Sequence, residues 1–236
     1  MIDTVYPEIF ERFPNYVRAV VVATDVCNDG QSDELLEAFE VVQAIAKQKL
    51  PQHNVVRHPH IASWRAAFRE LGINPKRYPP AVAYLAKSLH RRPLPYINTL
   101  VALFNLISVK YLLPCGGDDI DRVTGDLHLK PANGDELYTP LNSRVVEHPQ
   151  PGEIIYVDDA GIVLCRRWCW RQADQTKLTP ETRNIAINLD CLSPVTRQEA
   201  EAAVAELTEL IERYCGGGQI SSYWLSVDNP QAEIWH

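Results

Sequence analysis

The stretch Asn98-Thr99-Leu100-Val101-Ala102-Leu103-Phe104-Asn105-Leu106-Ile107-Ser108 decides how this chain is read. It is apolar nearly all round, so it predicts a helix buried at the centre of the fold. Character changes just beyond it, after Lys110. From Tyr111 to Leu192 the chain reads as strands and turns: Val123 to Lys130, Glu136 to Leu141, Glu153 to Asp158, Ile162 to Gln172 and Arg183 to Leu189. Asn133-Gly134 and Ala160-Gly161 punctuate them as hairpin turns do.

On the N-terminal side of the central stretch the pattern is helical. Asn15 to Val26, rich in β-branched residues, predicts a buried first strand. Ser32 then caps a helix with Leu35, Phe39, Val42 and Ala46 at helical spacing. A second helix runs from Pro59 to Leu71, with Ile61, Trp64, Phe68 and Leu71 in one stripe and Gly72 placed to end it. Pro79-Pro80 opens a third, with Val82, Leu85, Ala86 and Leu89 facing inward. Near the C-terminus Thr196 and Glu199 form a capping box for a helix that carries Ala203, Val204, Leu207, Leu210, Ile211 and Tyr214 on its apolar face. Gly216-Gly217-Gly218 stops it, and Gln219 to Val227 is a last strand. Helices first, strands in the middle and a strand-helix-strand at the end make an α+β pattern. No linker divides it, so residues 1–236 are expected to form one domain.

Of the 236 residues, 46% are apolar and 22% charged, as in an ordinary water-soluble domain. The net charge of −7 argues against an extended nucleic-acid surface, and hence against DNA, while leaving room for a local basic patch that grips one end of an RNA. No long apolar run opens the chain or approaches a membrane span, so no membrane partner is expected. The six cysteines lack the paired spacing of a zinc site and read as reduced thiols of a cytoplasmic protein, with no metal and no cofactor. Phosphate-binding, nucleophile-elbow, zinc-protease and dinucleotide signatures are absent from the sequence.

Four clusters carry possible chemistry. Arg166-Arg167-Trp168-Cys169-Trp170-Arg171-Gln172 packs three guanidinium groups and two indoles into seven residues. As a strand it puts Arg166, Trp168 and Trp170 on one face, to stack on a flat group, and Arg167, Cys169 and Arg171 on the other, to meet carboxylate or phosphate. The structural alternative is pairing of these arginines with local Asp and Glu. Pro114-Cys115-Gly116-Gly117-Asp118-Asp119 offers backbone N–H groups for an oxyanion and two carboxylates for an amine or an arginine. Asn98 and Asn105, two turns apart, share a face of the central helix and need partners if buried. Arg57-His58-Pro59-His60 is a weaker candidate for phosphate or proton chemistry. Lys76-Arg77 and Arg91-Arg92 read as solvated helix-end charges within reach of an RNA backbone.

Taken in order, Arg57-His58-Pro59-His60-Ile61 with Trp64-Arg65, Leu94-Pro95-Tyr96-Ile97-Asn98, Phe104-Asn105, Leu113 to Asp119 and Arg166 to Gln172 resemble freestanding relatives of the editing domain of the phenylalanyl-tRNA synthetase β subunit. The resemblance covers about residues 15 to 215. It implies helices packed on a mixed, mainly antiparallel sheet, and metal-independent hydrolysis of the ester bond of a mischarged aminoacyl-tRNA, acting in trans. Asn105 matches the Asn of a Thr-Asn pair lining the family's pocket, with Phe104 in place of the Thr. Pro114 matches a proline two residues before the pocket's histidine, and Gly116 stands where that histidine is. The family's tyrosine-selecting glutamate falls near Asn188 or Asp190. On this reading Asn105 positions water and the Gly116-Gly117 backbone stabilises the oxyanion. Asp118 or Asp119 holds the amino group, and Arg167 and Arg171 hold terminal phosphates. Asn98, Trp168, Trp170, Gln172 and Asn188 complete the substrate contacts. The alternative is a non-catalytic module that binds tRNA or a free amino acid in the same pocket.

Overall fold

The structure, a computed structural model, describes residues 1–235. Strand β2 (Val17–Ala23) is buried on both faces, which only a central strand between two layers can be. It lies in a four-stranded antiparallel sheet in the order β3 (Cys115–Asp119), β8 (Ile185–Cys191), β2, β9 (Ile220–Leu225). Side chains alternate along a strand. One face of this sheet (Ala19, Val21, Ala23, Ile185, Ile187 and Leu189) packs with helices α2 (Asp33–Lys49), α5 (Thr99–Tyr111) and α6 (Arg197–Cys215).

The other face, with Val20, Val22 and Ala186, meets a second sheet. That sheet has six strands: β10 (Gln231–Glu233), β1 (Ile2–Val5), β4 (Leu127–Pro131), β5 (Ile154–Asp158), β6 (Val163–Arg166) and β7 (Arg171–Gln172). It is antiparallel except for β1 against β4. Apolar residues of α1 (Pro7–Arg12), α3 (Pro59–Glu70) and α4 (Ala81–Ser88) join the same core. The expected α+β class holds, with strands divided between two facing sheets. Among the described residues no helix is long and apolar enough to cross a membrane.

The helices start where capping chemistry places them. Ser32 Oγ accepts from Leu35 N at 3.3 Å, and Thr196 and Glu199 form the full capping box. Pro59 occupies the first turn of α3, where its missing N–H costs nothing. Helix α5 is buried along nearly its whole length, as its unpatterned apolarity requires.

The structure departs from the sequence reading in three respects. Glu136 to Leu141 is not a strand; Leu137, Tyr138 and Pro140 make only isolated bridges. Helix α1 and the short strands β1 and β10 carried too few residues to show a period. Most consequentially, Ile162 to Gln172 is broken after Arg166 by a turn in which Arg167 (φ 49°) and Trp168 (φ 62°) both adopt left-handed backbone. Trp168 is thereby driven into the core, fully buried, with ring centroids 4.9 Å from Tyr16 and 5.0 Å from Phe13 and Trp64. Two left-handed residues cost roughly 1–2 kcal/mol each. Burying an indole of about 200 Å² yields roughly 5 kcal/mol and the three ring contacts about 0.5–1.5 kcal/mol each, against roughly 1–3 kcal/mol for an indole N–H buried without a partner among the described residues. Packing wins over backbone preference.

The two sheets are joined by buried polar groups. Arg18 of β2 reaches Asp3 of β1, with Nε and Nη2 at 2.9 and 2.8 Å from Oδ2, and its guanidinium lies 4.3 Å from the centre of the Tyr156 ring. Burial works against this charge, but Asp3 and the facing Tyr156, Tyr16 and Asp190 outweigh it and hold the Arg18 pKa well above its ordinary value. Tyr156 of β5 donates to Asp190 Oδ1 of β8 at 2.6 Å, and Tyr16 donates to the same oxygen. Replacing Arg18 by Met leaves the Asp3 carboxylate buried and unpaired, and is expected to lower unfolding free energy by about 3–5 kcal/mol in urea titrations. The double variant Asp3→Leu/Arg18→Met is expected to recover most of that loss.

Candidate functional site

A cavity of about 180 Å³ opens where the two sheets part at their β3 and β7 edges. That volume suits one amino-acid-sized group; a single water needs only about 10–15 Å³. Strand β3 builds one wall. Gly116 and Asp118 turn their Cα substituents to the cavity side, while Cys115, Gly117 and Asp119 face the other way. A Cβ on Gly116 would meet only Asn188 Oδ1, at 4.0 Å, so this position is open space beside Asn188. A Cβ on Gly117 would lie 2.9 Å from Ile187 Cγ1, so close packing behind the sheet requires glycine there.

The cavity has few polar groups, each held differently. Asp118 Oδ1 accepts from Thr176 Oγ1 at 2.6 Å and Gln172 Nε2 at 3.0 Å. Burial raises the Asp118 pKa from 3.8 to about 6 against those hydrogen bonds. Asn188 donates Nδ2 to Asp190 Oδ2 at 3.0 Å, which leaves its carbonyl oxygen on the Gly116 side. Burial also raises the Asp190 pKa, opposed by Arg18 and by the hydroxyls of Tyr156 and Tyr16. Asn105, on α5, is 9% exposed, and its amide has no hydrogen-bond partner among the described residues. Burial pushes the thiols of Cys165 and Cys169 upward, so both line the cavity as neutral groups, and it does the same to Cys115 on the far side of β3.

Nine sequence-designated residues meet here: Asn105, Gly116, Gly117, Asp118, Trp168, Trp170, Arg171, Gln172 and Asn188. Three do not. Asn98 caps α5, accepting from Val101 N at 3.0 Å and donating to Leu178 O at 3.0 Å, so it does not share the face of Asn105. Asp119 points away from the cavity, accepts from Thr182 Oγ1 at 2.8 Å and pairs with Arg122 at 3.4 Å. Arg167 lies outside the cavity, stacked 3.9 Å from the Tyr78 ring and 4.5 Å from Trp170, with Glu153 at 3.5 Å.

The turn also overturns the alternating faces expected of the Arg-Trp stretch. Arg166 is buried in a two-pronged pair with Glu153, both nitrogens at 2.8 Å, and bonds Glu147 at 3.0 Å; the pairing alternative describes it. Trp168 shows the cavity only the edge of a core residue, whereas Trp170 and the exposed Arg171 stand at the mouth.

The backbone of β3 offers less than two adjacent glycines suggest. In an antiparallel ladder successive residues send their N–H and C=O groups to opposite sides. Gly116 is directed at its partner Asn188 on β8. Gly117 faces the free edge, where its carbonyl accepts from Gln172 Nε2. One N–H, that of Gly117, is therefore outside the ladder, and the pair does not form a two-donor oxyanion hole. His58 and His60 lie apart from the cavity, ring to ring at 5.1 Å, with His60 Nδ1 3.1 Å from Tyr111 O.

Sequence reasoning missed Tyr84, Leu85 and Tyr156 as lining residues. Tyr156 sits in the predicted strand Glu153 to Asp158, which carried no site signal, and gains its position only from the facing sheet.

Asp118 links this geometry to stability. Its pKa is about 6 folded and near 3.8 unfolded, so the folded state holds the proton more tightly, and stability falls as pH rises from about 4 to 6. An Asp118→Asn variant is expected to gain on the parent in urea midpoint between pH 4 and pH 7.5. An equal difference at both pH values would contradict this assignment.

A solved N-terminal fragment of the phenylalanyl-tRNA synthetase β subunit from Pyrococcus horikoshii aligns with 88% of this chain and 48% of its own, at 13% identity and a TM-score of 0.43. The phenylalanine–tRNA ligase beta subunit of Mycoplasma genitalium is 29% identical over 106 residues, which are 44% of this chain and 13% of that protein. This chain thus spans about half of the first relative and a small part of the second. Residues 63–216, well over half of the chain and the whole of the cavity wall, match the B3/4 domain. The chain belongs to the B3/4 domain family, as a relative of that domain of the phenylalanyl-tRNA synthetase β subunit.

Proposed function

We propose that this protein hydrolyses the ester bond of a mischarged aminoacyl-tRNA, with the aminoacyl group seated between Asn105 and Asp118. The observation that carries the reading is the Asn105 amide, which lines the cavity with no hydrogen-bond partner among the described residues. Its donor and acceptor are therefore free to hold a water or a ligand in the cavity. Kinship with a domain of a tRNA ligase supports an aminoacyl-tRNA as that ligand.

In the proposed step a water held by Asn105 attacks the ester carbonyl carbon, and the carbonyl oxygen becomes the oxyanion. The Gly117 N–H, on the free edge of β3, is the backbone donor available to it. The tetrahedral intermediate collapses with cleavage of the bond to the ribose oxygen, which takes up a proton and leaves as the tRNA hydroxyl. The amino acid departs with its new carboxyl group. Asp118, ionised above about pH 6, receives the α-ammonium group. Arg171, exposed at the mouth, meets the terminal phosphate.

The test is deacylation of a panel of mischarged tRNAs by the purified protein. One species is expected to be hydrolysed selectively, with Asn105→Ala about 10²-fold slower and Arg171→Ala weaker mainly through KM. Folding of both variants is checked by circular dichroism. Unchanged rates in both would remove these assignments, and binding without hydrolysis would make the cavity a recognition site only. Affinity for the aminoacyl group is expected to rise through pH 6 as Asp118 ionises, and to lose that pH step in Asp118→Asn.

A further inference from the structure

Between Arg57 and Arg92 the chain carries eight Lys and Arg and one acid, Glu70, a balance of +7 in a protein whose net charge is −7. This segment is α3, α4 and the loop between them. None of the eight cations pairs with a carboxylate among the described residues, although most of those elsewhere in the fold do. Six of them, including Arg69, Arg77 and Arg91, are exposed.

The cations adjoin one another. Arg65 is only 6% exposed, and its one hydrogen bond runs from Nη1 to Pro75 O at 3.1 Å. Burial lowers its pKa, and Arg69 lowers it further. Lys87 is lowered by burial and then by Arg65 and Arg91. A buried guanidinium ordinarily has an anion beside it; here its neighbours are cations.

The same surface leads to the cavity. Arg77 lies 5.1 Å from the Tyr78 ring, which stands edge-on to Trp170 at 4.9 Å and carries Arg167 at 3.9 Å. Trp170 is a cavity wall, and Ala81 at the start of α4 is tied to it by Ala81 N donating to Cys169 O at 2.7 Å. The track therefore runs from Arg91 and Lys87 over Arg65 to Arg77 and ends at the mouth.

We propose that the α3–α4 face docks the phosphate backbone of an RNA whose 3′ end enters the cavity. The inference rests on the RNA reading of that cavity and supplies what an acidic protein otherwise lacks, a local cationic surface for a polyanion. The acidic remainder of the surface repels the same backbone and so restricts docking to this face.

The test is fluorescence-anisotropy binding of uncharged bulk tRNA, and of an acceptor-stem minihelix ending in CCA, from 50 to 300 mM salt. The wild-type protein is expected to lose affinity steeply with salt. A Lys76→Glu/Lys87→Glu/Arg91→Glu variant is expected to bind at least about 30-fold more weakly, with the log–log salt slope reduced by about three. If the triple variant does not fold, Lys87→Gln alone is expected to reduce the slope by about one.

A flat salt response of the wild-type protein, or binding to vesicles of anionic lipid but not to RNA, would overturn the docking face. So would unaltered RNA affinity in a folded triple variant, even one that still hydrolyses its ester; hydrolysis would then stand without this face. Salt-steep RNA binding lost in the variant, by a protein inactive on every mischarged tRNA, would sustain the docking face while hydrolysis fell.

Discussion

The structure depends on a seam of buried polar groups between two sheets. Asp3 and Arg18 join β1 to β2, and Tyr156, Tyr16 and Asp190 join β5 to β8. Each group is costly to bury alone, and Asp3 Oδ1 and Arg18 Nη1 have no hydrogen-bond partner among the described residues, so the seam adds little net stability. What it imposes is registry. A carboxylate accepting two tyrosine hydroxyls tolerates no sliding of one sheet over the other, whereas apolar side chains tolerate it readily. The cavity lies where this seam reaches the sheet edges: Asp190 holds Asn188 by its amide nitrogen and so determines which way the Asn188 oxygen points.

The turn from Arg167 to Trp170 is the second constraint. It takes two consecutive residues into left-handed backbone in order to bury one indole among Phe13, Tyr16 and Trp64. That burial swings Trp170 and Arg171 to the cavity mouth and Arg167 onto Tyr78. It also ties the turn to α4 through Cys169 O. The cationic helices α3 and α4 are thereby held against the cavity, so that binding of a charged chain and of its terminal group share one rigid frame.

Much of the helical architecture is legible in the sequence. Ser32 and Thr196 cap helices because a side-chain oxygen satisfies an orphaned N–H, a local interaction visible in local sequence, whereas Asn98, read as part of the helix face, proved to be a cap of the same kind. The loss of periodicity in α5 announced its burial for an equally local reason. Strands were less legible. Glu136 to Leu141 alternates like a strand yet forms only bridges, because a ladder needs a partner in register, and sequence names no partner. The glycines misled in the same way: their side of the ladder, and hence which N–H is free, follows from pairing with β8.

By itself, the sequence determined the α+β class, the positions of the longer helices and the inventory of reactive groups, since these follow from composition, periodicity and capping within a turn or two of each residue. It also contained the concentration of cations between Arg57 and Arg92. Only the tertiary structure decided which groups meet. Asn105 faces the cavity and Asn98 does not; Asp118 faces it and Asp119 turns away; Arg171 stands at the mouth while Arg166 is held by Glu153. The physical reason is that each choice is between two neighbours of like chemistry. Pleat, helix phase and a core that takes in one tryptophan separate them, and those are properties of contacts distant in the chain.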